Sequence, residues 1–125
     1  MLFEPGPMIH RKLVDRWSWL LFFAMNFDYT DANTRYRRLR RQCLESGDGT
    51  CQNCARYGRG TPATVAHHAW PVEDFPEYGY CRWNLIRLCK PCHDAMHDRI
   101  SRKLTPLGLY WRRRTPPHPD AAEMP

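Results

Sequence analysis

Two Cys-x-x-Cys pairs, Cys51 with Cys54 and Cys89 with Cys92, and two pairs of histidines, His67-His68 and His93 with His97, are the residues whose types and spacing could do chemistry. A Cys-x-x-Cys segment folds readily as a tight turn that aims both sulfurs at one cation. Two such turns make a closed tetrahedral set of four thiolates, the donor set of a structural zinc. Four buried free thiols would be the alternative, but packing alone gives no reason for paired spacing. The gap between the pairs is longer than in common zinc ribbons, so the ion would clamp the base of an inserted lobe. Cys43 and Cys81 have no such partner.

Four of the six histidines fall inside or directly beside that lobe. On a helix, positions i and i+4 share a face, so His93 and His97 could present two imidazoles to a single ion. On a strand, neighbours point to opposite sides, so one of His67 and His68 could join the ion while the other faces a different part of the site. This division suits phosphodiester hydrolysis, in which a divalent cation neutralises charge developing on phosphate while a separate, unligated imidazole activates water. Imidazole titrates near pH 6.5, close enough to neutrality for that task. A second structural zinc held by the histidines is the other reading of the same residues.

The elements that must position these groups are legible in outline. Tyr36, Leu39 and Cys43 recur at helical spacing, with Thr30 or Asp31 as a cap and Gly47 and Gly49 as the stop. Thr64, Val65 and Ala66 read as a short β segment leading into the histidine pair, and a second short strand is expected around Asn84 and Leu85. Between them, 71–80 carries Pro76 and Gly79 and reads as a loop. A last helix is expected to begin near Pro91 and continue past Ile100, with Met96, Ile100 and Leu104 facing the core. Residues 1–28 form an N-terminal extension expected to be helical, 29–105 the central domain, and 106–125 a basic, then Pro-rich, largely disordered tail.

At 125 residues the chain holds one small domain that needs a staple. Paired cysteines of this spacing favour a reducing, cytoplasmic setting over a disulfide framework. The apolar run 17–25 is far short of the roughly 20 residues of a membrane span, and no small-residue cleavage site follows it. The formal charge of +6 is concentrated in two places. Arg35, Arg37, Arg38, Arg40 and Arg41 crowd the first helix, and Arg99, Arg102 and Lys103 lie in an acid-free stretch shortly after His97. Such clusters suit a polyanion, whose condensed counterions they release; a solvated face is the bland alternative.

Cys51-x-x-Cys54, then Ala66-His67-His68-Ala69-Trp70-Pro71, Asn84-Leu85, and Leu88-Cys89-x-x-Cys92-His93 with His97 resemble the HNH endonucleases over about residues 29–104. Among these, the sequence is most similar to small HNH proteins of tailed phages and prophages, many encoded beside DNA-packaging genes. The resemblance implies a small α+β fold, a ββα-metal core stapled by the four-cysteine zinc with flanking helices. It implies a metal-dependent endonuclease that hydrolyses double-stranded DNA with low sequence specificity in the cytoplasm of a bacterial host, with phage terminase or portal proteins as partners. Carried over residue by residue, His68 would be the general base. His67 would be a metal ligand where the family often has Asp, and His93 and His97 would be the other two ligands. Asn84, the middle letter of the motif, would brace the loop and orient the base. An all-imidazole set favours transition metals, whereas magnesium prefers carboxylate, so Mg²⁺, Mn²⁺, Ni²⁺ and Zn²⁺ all stay open as the catalytic ion. A non-catalytic, zinc-stabilised DNA-binding or packaging accessory module would share nearly all of this, but the complete base and ligand set favours the enzyme.

Overall fold

The computed structural model describes residues 27–117. The helical expectation for 1–28 falls outside the described residues except at Phe27 and Asp28, as does the Pro-rich end of the tail, 118–125. Among the described residues no helix is long and apolar enough to cross a membrane.

Helix α1, Thr34–Glu45, has no Gly or Pro and buries Tyr36, Leu39 and Cys43, the face its periodicity implied. Its cap is Asn33, whose Oδ1 accepts the Tyr36 N–H at 3.2 Å, and not Thr30 or Asp31. The same amide donates to the Asp28 carbonyl and to the Tyr80 hydroxyl, tying the helix start to a distant loop. Asp31 instead pairs with Arg40 at 2.7 Å. After the helix, the chain reverses through Gly47 and Gly49 at φ +58° and +75°, backbone that suits glycine.

Helix α2, Gln52–Ala55, is the single turn inside the first cysteine pair. Strands β1, Val65–His68, and β2, Leu85–Leu88, then form an antiparallel pair with His67 opposite Ile86 and His68 opposite Leu85. Alternation places Ala66, His68 and Leu85 on the face toward α1, where Ala66 and Leu85 pack with Tyr36, Leu39 and Cys43. On the other face Ile86 and Leu88 join the cysteines, Met96 and Trp111 in a second cluster. Each fully buried side chain of this kind contributes about 1.5–3 kcal/mol, so the two small cores fasten the hairpin from both sides.

Helix α3, Lys90–Asp94, is much shorter than the sequence implied. It stops because its next hydrogen-bonding groups are taken. The Met96 carbonyl accepts from Thr105 N–H at 2.9 Å, and the Asp98 carboxylate captures the N–H groups of Ile100 and Ser101. Met96 is fully buried, as expected, but Ile100 is 93% exposed and faces solvent, not the core.

Residues 106–113, expected in an irregular tail, are a helix instead. In α4, Pro106–Arg113, the Thr105 side chain caps the start by accepting the Gly108 N–H, and Pro106 occupies the first turn, where its missing N–H costs nothing. The helix returns to the core through Trp111, whose indole N–H donates to Asn53 Oδ1 at 2.9 Å. Gly108 lets it approach closely, since a Cβ there would run into the Met96 carbonyl oxygen.

Candidate functional site

The two Cys-x-x-Cys turns meet. Cys51, Cys54, Cys89 and Cys92 place their sulfurs within 4.8 Å of one another, with Cys54 Sγ at 3.8 Å from Cys89 Sγ and 3.7 Å from Cys92 Sγ. These separations are far longer than a disulfide bond of about 2 Å. Four sulfurs at about 2.3 Å from a central zinc in tetrahedral geometry would lie about 3.8 Å apart, and the two separations from Cys54 match that spacing. Polar neighbours support it: the Cys54 N–H points at Cys51 Sγ at 3.4 Å, and Asn53 Nδ2 donates to Cys92 Sγ at 3.3 Å. Through Asn53 the cluster is joined to Trp111 on α4.

The histidines converge separately, His67 from β1 with His93 of α3 and His97 beyond it. Strand alternation sends His67 toward α3, where its ring centre lies 5.3 Å from that of His93 in the helix and 5.5 Å from that of His97, which, contrary to a shared helix face, lies beyond the helix end in a bridge to Leu104, with 6.4 Å between the latter two. Imidazoles bound to one ion through bonds of about 2.1 Å bring their ring centres to about 5 Å from one another. The trio is therefore near that spacing, and looser than the thiols. His67 Nε2 is fully buried with no hydrogen-bond partner, a donor or acceptor that protein rarely leaves unsatisfied. Burial, then the neighbouring His93 and His97, hold His67 well below the usual histidine range, and burial also lowers His93 and His97. Three imidazoles beside one orphaned nitrogen are of the donor type that suits a divalent transition metal, but their ligand atoms do not all lie within 4.8 Å of one another as those of the four cysteines do.

His68 points the other way, into an aromatic enclosure. Its ring lies stacked on Tyr36 at 5.9 Å, with Phe27 and Tyr29 edge-on at 5.7 and 6.0 Å. Its Nε2 lies 3.0 Å from the Gly79 carbonyl oxygen. A carbonyl can only accept, so Nε2 carries the hydrogen and Nδ1 keeps a free lone pair. Burial pushes His68 down to about 4, so the ring is neutral at physiological pH.

Both arrangements open on one cleft of about 760 Å³, lined by His67, His68, His93 and His97 and by Arg99 and Arg102. Glu73, Asp94 and Asp98 also line it. Asn84 stands behind the cleft, fully buried, where its Oδ1 accepts the Trp70 N–H at 2.7 Å and its Nδ2 donates to the Trp70 and Tyr78 carbonyls at 3.0 and 3.2 Å. It thereby holds the loop that carries Gly79.

Of the arginines named from sequence, only Arg99 and Arg102 line the cleft. On α1, Arg40 is engaged with Asp31, Arg37 with the Asp31 carbonyl, and Arg35 lies 4.3 Å over the Tyr80 ring. Arg38 and Arg41 lie on that exposed helix surface, and Lys103 is exposed in the loop after His97. Sequence reasoning missed Glu73, Tyr29, Tyr36 and the Gly79 carbonyl as parts of the site. Asp94 and Asp98 could have been flagged, since each directly follows a candidate ligand histidine.

Curated proteins and solved structures give no match to the chain. The family model described as HNH endonuclease matches residues 51–99, from the first cysteine of the thiol cluster to just beyond His97. That stretch contains the hairpin, α3, both cysteine turns and all four cleft histidines in a small α+β arrangement consistent with the ββα-metal fold, and over it this chain is similar to the HNH endonucleases.

Proposed function

We propose that this protein is a metal-dependent endonuclease that hydrolyses phosphodiester bonds of double-stranded DNA with low sequence specificity. The observation that supports this most is the separation of two imidazole tasks across one cleft. His68 has its tautomer set by Gly79 and a lone pair left on Nδ1, while His67, with its orphaned Nε2, joins His93 and His97. In this reading His67, His93 and His97 hold the catalytic divalent ion, which supplies Lewis-acid stabilisation of charge on the phosphate. His68 Nδ1 accepts the proton of the attacking water as its oxygen adds to phosphorus, the opposite P–O bond to the leaving strand breaks, and the leaving oxygen takes a proton from solvent. The enclosure of rings around His68 keeps it neutral and ready to accept. Asn84 acts through the loop it braces, fixing Gly79 and so the orientation of His68. Cys51, Cys54, Cys89 and Cys92 hold a structural zinc. Arg99 and Arg102 bind the phosphates beside the cleft, and Arg35, Arg37, Arg38, Arg40 and Arg41 of α1 with Lys103 meet the backbone further out. A place beside the packaging machinery of a phage, with terminase or portal proteins, is the setting that the sequence resemblance implies, and co-purification with either would test it.

Metal stoichiometry tests the assignment of the two sites. His93→Ala and His97→Ala should each lose one tightly bound ion while retaining the cysteine-bound zinc and the fold, and cleavage should fall by at least about a hundredfold. Unchanged metal content and cleavage in both variants would remove the histidine trio from the mechanism.

A further inference from the structure

The segment between His97 and Leu104 is built as a rigid projection. His97 and Leu104 form an isolated antiparallel bridge at its base, and the Asp98 N–H donates to the Lys103 carbonyl at 2.7 Å. Inside, the Asp98 carboxylate accepts from the N–H groups of Ile100 and Ser101, and the Asp98 carbonyl accepts from Arg102 N–H at 2.9 Å. Arg102 sits at φ +67°, a backbone region uncommon for a residue with a side chain. At the tip of this braced turn stands Ile100, 93% exposed. A lone exposed apolar residue is ordinary on a protein surface. A β-branched one held out on a hydrogen-bonded turn, between Arg99 and Arg102 that line the cleft, and three residues from a candidate metal ligand, calls for a ligand that is both anionic and apolar.

We propose that residues 98–103 form a DNA-inserting turn: Ile100 wedges between base pairs of duplex DNA from the minor groove, while Arg99 and Arg102 hold the phosphates on either side. This rests on the reading of the cleft as a DNA-cutting site. Duplex DNA offers the required pairing of chemistries, since apolar wedges partly unstack base steps while cations grip the adjoining backbone. The geometry also gives the wedge a task. A kink at the inserted step bends the backbone and presents a phosphate to the histidines at the other end of the same short turn. Steps that unstack easily, pyrimidine followed by purine, would then be cut preferentially, a preference set by deformability and not by base-edge contacts.

The test uses the full chain carrying His68→Ala, which should bind without cutting, and short duplexes in which 2-aminopurine is walked along the strand. Binding should raise fluorescence at one or two positions as the base unstacks. Adding Ile100→Ser should abolish that rise and lower affinity about tenfold, whereas adding Ile100→Leu should keep both. Arg99→Ala should weaken binding to all sequences alike and reduce the salt dependence by about one counterion. In the otherwise wild-type chain, Ile100→Ser should leave hydrolysis of a small aryl phosphodiester unchanged while slowing duplex cleavage. A parent that binds duplex with no fluorescence rise at any position, or an Ile100→Ser variant that matches the parent, would overturn the wedge and leave the nuclease intact. A parent that binds no duplex would overturn the reading of the cleft, and the wedge with it.

Discussion

At the scale of single residues, the two histidines of β1 meet different surroundings because a strand turns neighbours to opposite faces. That rule was available from sequence, and the structure follows it, with His67 toward α3 and His68 against Tyr36. What sequence could not supply was the partner of His68, because Gly79 lies in the long loop between the strands, whose path is set by tertiary contacts. Asn84 is the most consequential residue of that loop. Asn84→Ala would leave the Trp70 N–H and the Trp70 and Tyr78 carbonyls without their present partner, at a cost of about 3 kcal/mol. Thermal unfolding should therefore shift down by more than about 10 °C, and cleavage at permissive temperature should also fall. Asn84→Asp keeps one acceptor and loses both donors, so its melting temperature should be nearly as low. A melting temperature within a degree or two of wild type for both variants would show that the loop is braced elsewhere.

At the scale of elements, α1 and the hairpin follow their residue patterns, whereas α3 and α4 divide a stretch that sequence reads as one helix and a tail. The four-residue repeat of Met96, Ile100 and Leu104 misleads because it does not run along one helix; Asp98 diverts the backbone before Ile100 can turn inward, and Leu104, half-buried, returns from the turn beside Gly108. The start of α4 was written in Thr105-Pro106, a cap followed by proline, but the arginines that follow read equally well as a basic tail. Its docking can be tested at two points. Trp111→Ala removes a buried ring and the hydrogen bond to Asn53, and should cost about 3–5 kcal/mol. Gly108→Ala, ordinarily favourable in a helix, should here destabilise, because the added methyl meets the Met96 carbonyl. Denaturant unfolding measures both, and a stabilised Gly108→Ala variant would mean that α4 does not sit against Met96.

At the scale of the whole molecule, a small domain with two modest cores should depend on its thiol cluster, which is placed to hold a metal ion. A structural zinc contributes about 10–16 kcal/mol in small metal-binding domains, comparable to the entire stability of a typical fold. Cys54→Ser or Cys92→Ser should accordingly leave the chain unfolded at 25 °C, read by circular dichroism, together with loss of the zinc. Asn53 and Trp111 join the cysteine cluster to α4, and Ile86 and Leu88 of β2 pack with it, so loss of the cluster should also disturb the cleft that His93, next to Cys92, lines. The central claim, that this cleft hydrolyses DNA with His68 as base, is tested most directly by cleavage of supercoiled plasmid. Zinc-loaded, folded protein freed of other ions would receive magnesium, manganese, nickel or zinc separately, beside His68→Ala of equal zinc content and stability. The prediction is metal-dependent nicking or linearisation that His68→Ala lacks; equal cleavage by His68→Ala, or none by the wild type with any ion, would contradict it.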